Sequence, residues 1–243
     1  MESFQIHLNS SNADKINNNN NCDVEFYLPV IEIPSQCHIY VSVQHAVIPY
    51  TFYNINSSNN ILKYSISGTI YTVVITPGNY NVYTLQTFLQ SNMTNFTISY
   101  NPVTNAFTFT NSITNFTILS SSTCLPLIGF LAQDNISTTF ALVSNRAVNL
   151  AQIRCICVNS NLKTNNINKS TLNNFSTICS IPVSVAPYSI VSFANHNNFR
   201  VNTFTSTIST IAIKLCDQNG NLIDLNGSNW ALTLQFDVVD FVE

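Results

Sequence analysis

Apolar and polar residues alternate with a period of two along much of the chain, most regularly near its end. Ile211, Ile213 and Leu215 alternate with Ala212, Lys214 and Cys216, and Trp230, Leu232, Leu234, Phe236 and Val238 alternate with Thr233, Gln235 and Asp237. This pattern gives two long strands with one apolar face each. Asn219-Gly220 and Asn226-Gly227 supply the turn positions between them, around a short extended piece at residues 222–225. A terminal strand this regular needs a partner, and Phe4, Ile6 and Leu8, alternating with Gln5 and His7, make the expected one.

Between these ends the texture changes twice. Residues 24–28 and 37–48 read as strands, the second with Ile39, Val41 and Val43 on one face and His38 and Gln44 on the other, and a short extended piece lies between Pro29 and Pro34. Residues 12–21, with their Asn run, read as a mobile polar loop. From Ile61 the elements shorten. A hairpin turns at Gly68, and Pro77-Gly78-Asn79 leads to a helix with Asn81 as N-cap and Val82, Leu85, Phe88 and Leu89 on one face. Short strands follow at 97–100, 106–110 and 116–119, with a helical turn over 122–128 that stops at Gly129. Long strands resume at 148–158, 176–185, 188–194 and 199–203, and a polar loop at 159–174 holds Lys163 and Lys169. The expected fold is mainly β: a single jelly-roll β-barrel or sandwich in which the first and last strands are neighbours.

Composition adds one unusual feature. Only 8% of the 243 residues are charged, against about 25% in an average globular protein. Weak self-repulsion favours assembly of copies, while an AT-rich genome enriched in Asn codons gives the same bias with no functional meaning. The net charge of −3 and the lack of a Lys/Arg cluster argue against contact with nucleic acid. Glu2, Gln5 and His7 interrupt any apolar run at the start, so no signal peptide is read there, and no stretch is long enough to be a transmembrane segment. The seven cysteines, Cys22, Cys37, Cys124, Cys155, Cys157, Cys179 and Cys216, have no framework spacing and read as free thiols of a reducing compartment.

Candidate chemistry is sparse. His7, His38, His45 and His196 are not at ligand spacing, and His38 and His45, an odd number apart on one extended run, are expected on opposite sides. Cys155 and Cys157 share a face but lack the second pair that a zinc site needs. Asp217 and Asp224 flank a turn and read as acceptors for its backbone; Glu25, Glu32, Asp134 and Asp237 are unpaired in sequence; five glycines make no phosphate loop. Trp230 reads as core. No catalytic, cofactor-binding or metal residues are assigned, and an enzyme is not expected. A carbohydrate- or receptor-binding jelly roll would need exposed aromatics, for which Tyr50, Phe52, Tyr53 and Tyr80 are the set at hand. A cupin-like metalloenzyme would need converging His and carboxylate ligands that the spacing does not supply.

Several runs carry a family resemblance. Val41-Ser-Val-Gln-His-Ala-Val-Ile-Pro-Tyr-Thr-Phe-Tyr-Asn-Ile, Asn59-Asn60, Thr76-Pro-Gly-Asn-Tyr-Asn, Ile98-Ser-Tyr-Asn-Pro-Val-Thr-Asn-Ala-Phe-Thr-Phe and Leu127-Ile-Gly-Phe occur in the first part. Val148-Asn-Leu, Ile181-Pro-Val and Ile213-Lys-Leu-Cys-Asp-Gln-Asn-Gly-Asn-Leu-Ile-Asp-Leu-Asn-Gly-Ser-Asn-Trp-Ala-Leu-Thr-Leu follow. In this order they resemble the penton (vertex) capsid proteins of virophages, polinton-like elements and large eukaryotic double-stranded DNA viruses. Related minor capsid proteins share similar runs.

The resemblance implies a structural protein of the virion capsid shell, assembled in the host-cell cytoplasm or a viral factory. It implies a homopentamer at icosahedral vertices, surrounded by trimers of a double jelly-roll major capsid protein, with minor capsid proteins or a fibre as further partners. The helix and short strands of residues 61–144 do not belong to a jelly roll, so this segment is expected as a small α+β domain inserted into a jelly roll of residues 1–60 and 145–243. The resemblance names no interface residues and no cofactor.

Overall fold

The computed structural model describes residues 2–165 and 175–240. In chain order the strands are β1 (Glu2–Asn9), β2 (Lys15–Ile16), β3 (Asp23–Glu32), β4 (Cys37–Pro49), β5 (Ile61–Ile66), β6 (Thr69–Val74), β7 (Phe96–Asn101), β8 (Ala106–Asn111) and β9 (Thr117–Ile118). They continue with β10 (Asn135–Ile136), β11 (Ala141–Val143), β12 (Cys155–Ser160), β13 (Ser176–Pro182), β14 (Ile190–Ala194), β15 (Val201–Thr203), β16 (Thr207–Cys216) and β17 (Ala231–Asp240). One α-helix, α1 (Val82–Asn92), follows β6. The chain divides into two compact units, residues 1–52 with 153–243, and residues 53–152.

The first unit is built from two open sheets with edges, not a closed barrel. One has the order β1-β17-β4-β14, with β15 also on β4; the other runs β13-β12-β16-β3-β2. Setting aside the two-residue β2 and taking β14 and β15 as one interrupted strand, the long strands rank first to eighth. The sheets then read first-eighth-third-sixth and second-seventh-fourth-fifth. All the pairings are antiparallel. The inner faces form one core. Leu8, Val41, Leu232, Leu234 and Phe236 come from the first sheet, and Val24, Phe26, Ile156, Val158, Ile211 and Ile213 from the second.

The expected partnership of the chain's two ends is present: β1 pairs with β17 over eight positions, from Glu2 opposite Val238 to Asn9 opposite Ala231. Phe4 stacks on Phe236 with ring centroids 5.1 Å apart. Pro29 lies inside β3, where the register against β16 slips between Ile208 and Thr210, an irregularity that tolerates a missing N–H. The Asn-rich segment expected to be mobile is tied down. Ser10–Asn12 forms a 3₁₀ turn, Asn20 donates to Ile223 O at 3.0 Å, and Asn21 Nδ2 donates to Ser228 O.

The unit of residues 53–152 has its own core, including Leu62, Tyr64, Leu85, Leu89, Phe96, Phe107, Phe109 and Phe130. Its sheets are β10-β9-β5-β6 and β11-β8-β7. Asn81 caps α1 in a reciprocal box, accepting from Tyr83 and Thr84 N–H while its own N–H donates to Thr84 Oγ1. The expected helical turn over 122–128 is a succession of turns that Gly129 ends at φ +80. Strand 148–158 is shorter than expected and starts only at Cys155. Val148 and Asn149 give their N–H groups to Asn105 O and Leu127 O within the second unit instead. Of the loop at 159–174, Lys169 and its neighbours from 166 onward lie outside the described residues.

Candidate functional site

The outer face of the β1-β17-β4 sheet carries polar side chains that the alternation sets aside. Across it run rows in which Gln5, Gln235 and Ser42 are register partners, and likewise Ser3, Asp237 and Tyr40. His7 and His45 flank Thr233 in the same way, and His7 Nδ1 lies 3.1 Å from Thr233 Oγ1.

His38 and His45 do not face opposite sides as their odd spacing suggests. The β4–β17 register jumps from Thr233–His45 to Leu234–Val43, leaving Gln44 as an extra residue. That bulge inverts the parity of everything after it. Both histidines are therefore exposed on the outer face, while Ala46 and Ile48 turn into the core.

At one side of this face Arg200 is fixed twice. Its guanidinium donates to Asp237 Oδ2 at 2.9 Å and lies 4.5 Å above the Tyr40 ring. The other Asp237 oxygen accepts from Gln235 at 2.9 Å. Ser42, Gln44, Asn198, Arg200, Gln235 and Asp237 line a polar groove of about 410 Å³. Sequence spacing carries no signal for this cluster, because Arg200 and Asp237 meet only through the strand order. The groove presents a guanidinium, a carboxylate, a hydroxyl and amides, groups that bind and orient polar partners.

The other candidates resolve as structural. Cys157 sits opposite Cys216 and Ser180 on neighbouring strands, and among the described residues no group of His, Cys, Asp and Glu is arranged to hold a metal. Burial pushes the Cys157 and Cys179 thiols up to about 11, and those of Cys22 and Cys124 up to about 12, so they stay protonated and inert. Asp217 accepts from the Asn219 and Asn221 N–H groups and Asp224 from that of Asn226, as turn residues do.

Glu25 is held below the usual carboxylate range by its hydrogen bond from Lys15, and Asp134 by the Ser120 N–H. Glu32, at the end of β3, lies opposite Thr207. His196 is exposed between β14 and β15. Trp230 is core, its Nε1 donating to Asn21 O at 2.7 Å. Tyr50 and Phe52 are buried and stacked on each other, and Tyr53 and Tyr80 are half-buried, so they form no exposed platform for a sugar. Exposed apolar side chains of the first unit include Tyr188, Ile190, Phe199 and Phe204, on and around β14 and β15. No helix among the described residues is long and apolar enough to cross a membrane.

No family model matches the chain, and no curated protein matches it. Among solved structures, the Sputnik virophage determined by electron cryo-microscopy aligns with 97% of this chain and 98% of its own, at 12% identity and a TM-score of 0.46. The crystal structure of the mavirus penton protein aligns with 98% of this chain and 100% of its own, at 9% identity and a TM-score of 0.54. Over nearly its whole length, the chain carries the fold of the mavirus penton protein.

Proposed function

We propose that the chain is a structural protein of a viral capsid, a penton subunit that assembles as a homopentamer at icosahedral vertices among trimers of a double jelly-roll major capsid protein. The observation that carries this reading is the strand order. In the first unit the antiparallel partners include first with eighth, second with seventh, third with sixth and fourth with fifth. That is the product of rolling one long hairpin, and it supports a single jelly roll with the unit of residues 53–152 inserted between its third and fourth strands. The end-to-end likeness in fold to the mavirus penton protein supports the vertex position over that of other capsid subunits.

Assembly as the function is supported by the sparse charge, by exposed apolar residues around β14 and β15, and by the burial that raises the thiols of Cys22, Cys124, Cys157 and Cys179 and the turn roles of Asp217 and Asp224. Side faces of the jelly roll meeting head to tail close into a ring, as a fivefold position requires. The virion shell is the corresponding location. Light scattering of the purified protein tests the reading: a stable mass of five subunits is expected, and a monomer or trimer contradicts it.

A further inference from the structure

The exposed edge of β6 is the one long edge in its unit that nothing blunts. The opposite edge of the other sheet, β7, is covered by α1 through one side chain: Gln90 accepts from Ile98 N–H at 2.6 Å and donates to Phe96 O. The remaining edges, β10 and β11, are two and three residues long. Strand β6 has six residues, no charge and no proline, with Ile70 62%, Tyr71 44% and Val74 60% exposed. Proteins ordinarily blunt such an edge, because its unpaired main chain is a template for another strand.

Hairpin geometry fixes which groups are free. Ser67 and Gly68, with φ of 49° and 86°, form the two-residue turn between β5 and β6, so Ile66 and Thr69 close it as a hydrogen-bonded pair. Bonded and unbonded pairs alternate from there. The Ile75 N–H donating to Asn60 O at 2.8 Å confirms the phase at the far end. Ile70, Thr72 and Val74 therefore direct their N–H and C=O groups away from β5, and among the described residues none of these groups has a partner.

We propose that β6 pairs antiparallel with β6 of a second copy of this chain, in the register that sets Thr72 opposite Thr72. In that register every outward N–H and C=O of Ile70, Thr72 and Val74 finds its counterpart, with Ile70 facing Val74 of the second copy and Val74 facing its Ile70. On one face Ile70 meets Val74 and Thr72 meets Thr72; on the other Tyr71 meets Val73. These β-branched, Thr–Thr and aromatic pairings are the favourable cross-strand kinds. A slide of two residues, to Tyr71 opposite Tyr71, leaves Val74 without a bonded partner.

A second copy fits because the strand carries no charge that would repel itself and the chain as a whole is only 8% charged. One strand edge buries well under the roughly 1,200 Å² of a stable interface. The contact is therefore weak and depends on concentration. It is independent of the ring proposed above.

The test is the mass of the full-length protein by sedimentation as concentration rises, for the wild type, Ile70→Lys/Val74→Lys and Ile70→Lys/Val74→Glu. The wild-type mass rises above its basal value with concentration: to twice that value for a monomer, and in larger steps for a ring, which carries one β6 edge per subunit. The double-Lys protein, with lysines facing lysines, associates at least tenfold more weakly, and the Lys/Glu protein, with each Lys facing a Glu of the other copy, regains the rise. Identical behaviour of all three, or no recovery in the Lys/Glu protein, overturns the proposal. The basal mass reports the ring and the rise reports β6, so either reading can fail alone.

Discussion

Gln5 and Gln235, 230 positions apart in the sequence, lie directly opposite each other, and the Gln5 amide donates to Gln235 Oε1 at 3.2 Å. The pair marks the seam where the two ends of the chain join one sheet. Being exposed, the bond itself contributes little; the seam is held by the apolar side chains beneath it. Leu8→Ala is expected to cost about 2–4 kcal/mol, because Leu8 is 3% exposed in the core. Gln5→Ala should cost less than about 0.5 kcal/mol. Urea midpoints measure both, and equal effects would contradict a seam closed by its buried face.

Gly129 has no room for a side chain. It combines a φ of +80 with a backbone so close that a Cβ would lie 2.2 Å from Arg146 O. Gly129 O also accepts the Arg146 N–H at 2.8 Å. Gly129→Ala is expected to destabilise the unit of residues 53–152 by at least about 2 kcal/mol, through strain that both backbone and neighbour resist. Gly68→Ala, with a similar φ but nothing within 4 Å of the added carbon, should cost less. Thermal unfolding of the two variants gives the comparison.

The buried thiols give stability a pH dependence with a definite sign. Burial raises Cys22 and Cys124 from 9.0 to about 12. Above pH 9 the unfolded chain releases protons that the native chain keeps, so rising pH favours unfolding. Their contribution is whole below about pH 9 and is lost progressively as the pH climbs toward 12. Urea midpoints should fall over that window, and Cys22→Ala with Cys124→Ala should flatten the decline. At pH 8, iodoacetamide should leave both thiols unmodified in the native protein and label them after unfolding, as read by mass spectrometry.

Much of this architecture is legible in the sequence because it is local. The alternation from Trp230 to Val238 specifies a strand, Asn81 followed by Thr84 specifies a helix start, and Ser67-Gly68 specifies a tight hairpin. What depends on pairing is not legible. Nothing near Gln44 announces a bulge, since the extra residue exists only relative to β17, and so the side taken by His45 cannot be read from β4 alone. The meeting of Arg200 with Asp237 and Tyr40 likewise follows from β15 and β17 both lying against β4. The free edge of β6 is visible only once the sheet is known to stop there.

The position of this protein in virus particles tests the account most directly. Electron cryo-microscopy of particles containing it, averaged with icosahedral symmetry, should place the two-sheet unit in five copies around each fivefold axis, with its first and last strands side by side. Density for the chain elsewhere in the shell with the vertices filled by another protein, or its absence from the particles, would contradict the assignment as a penton subunit.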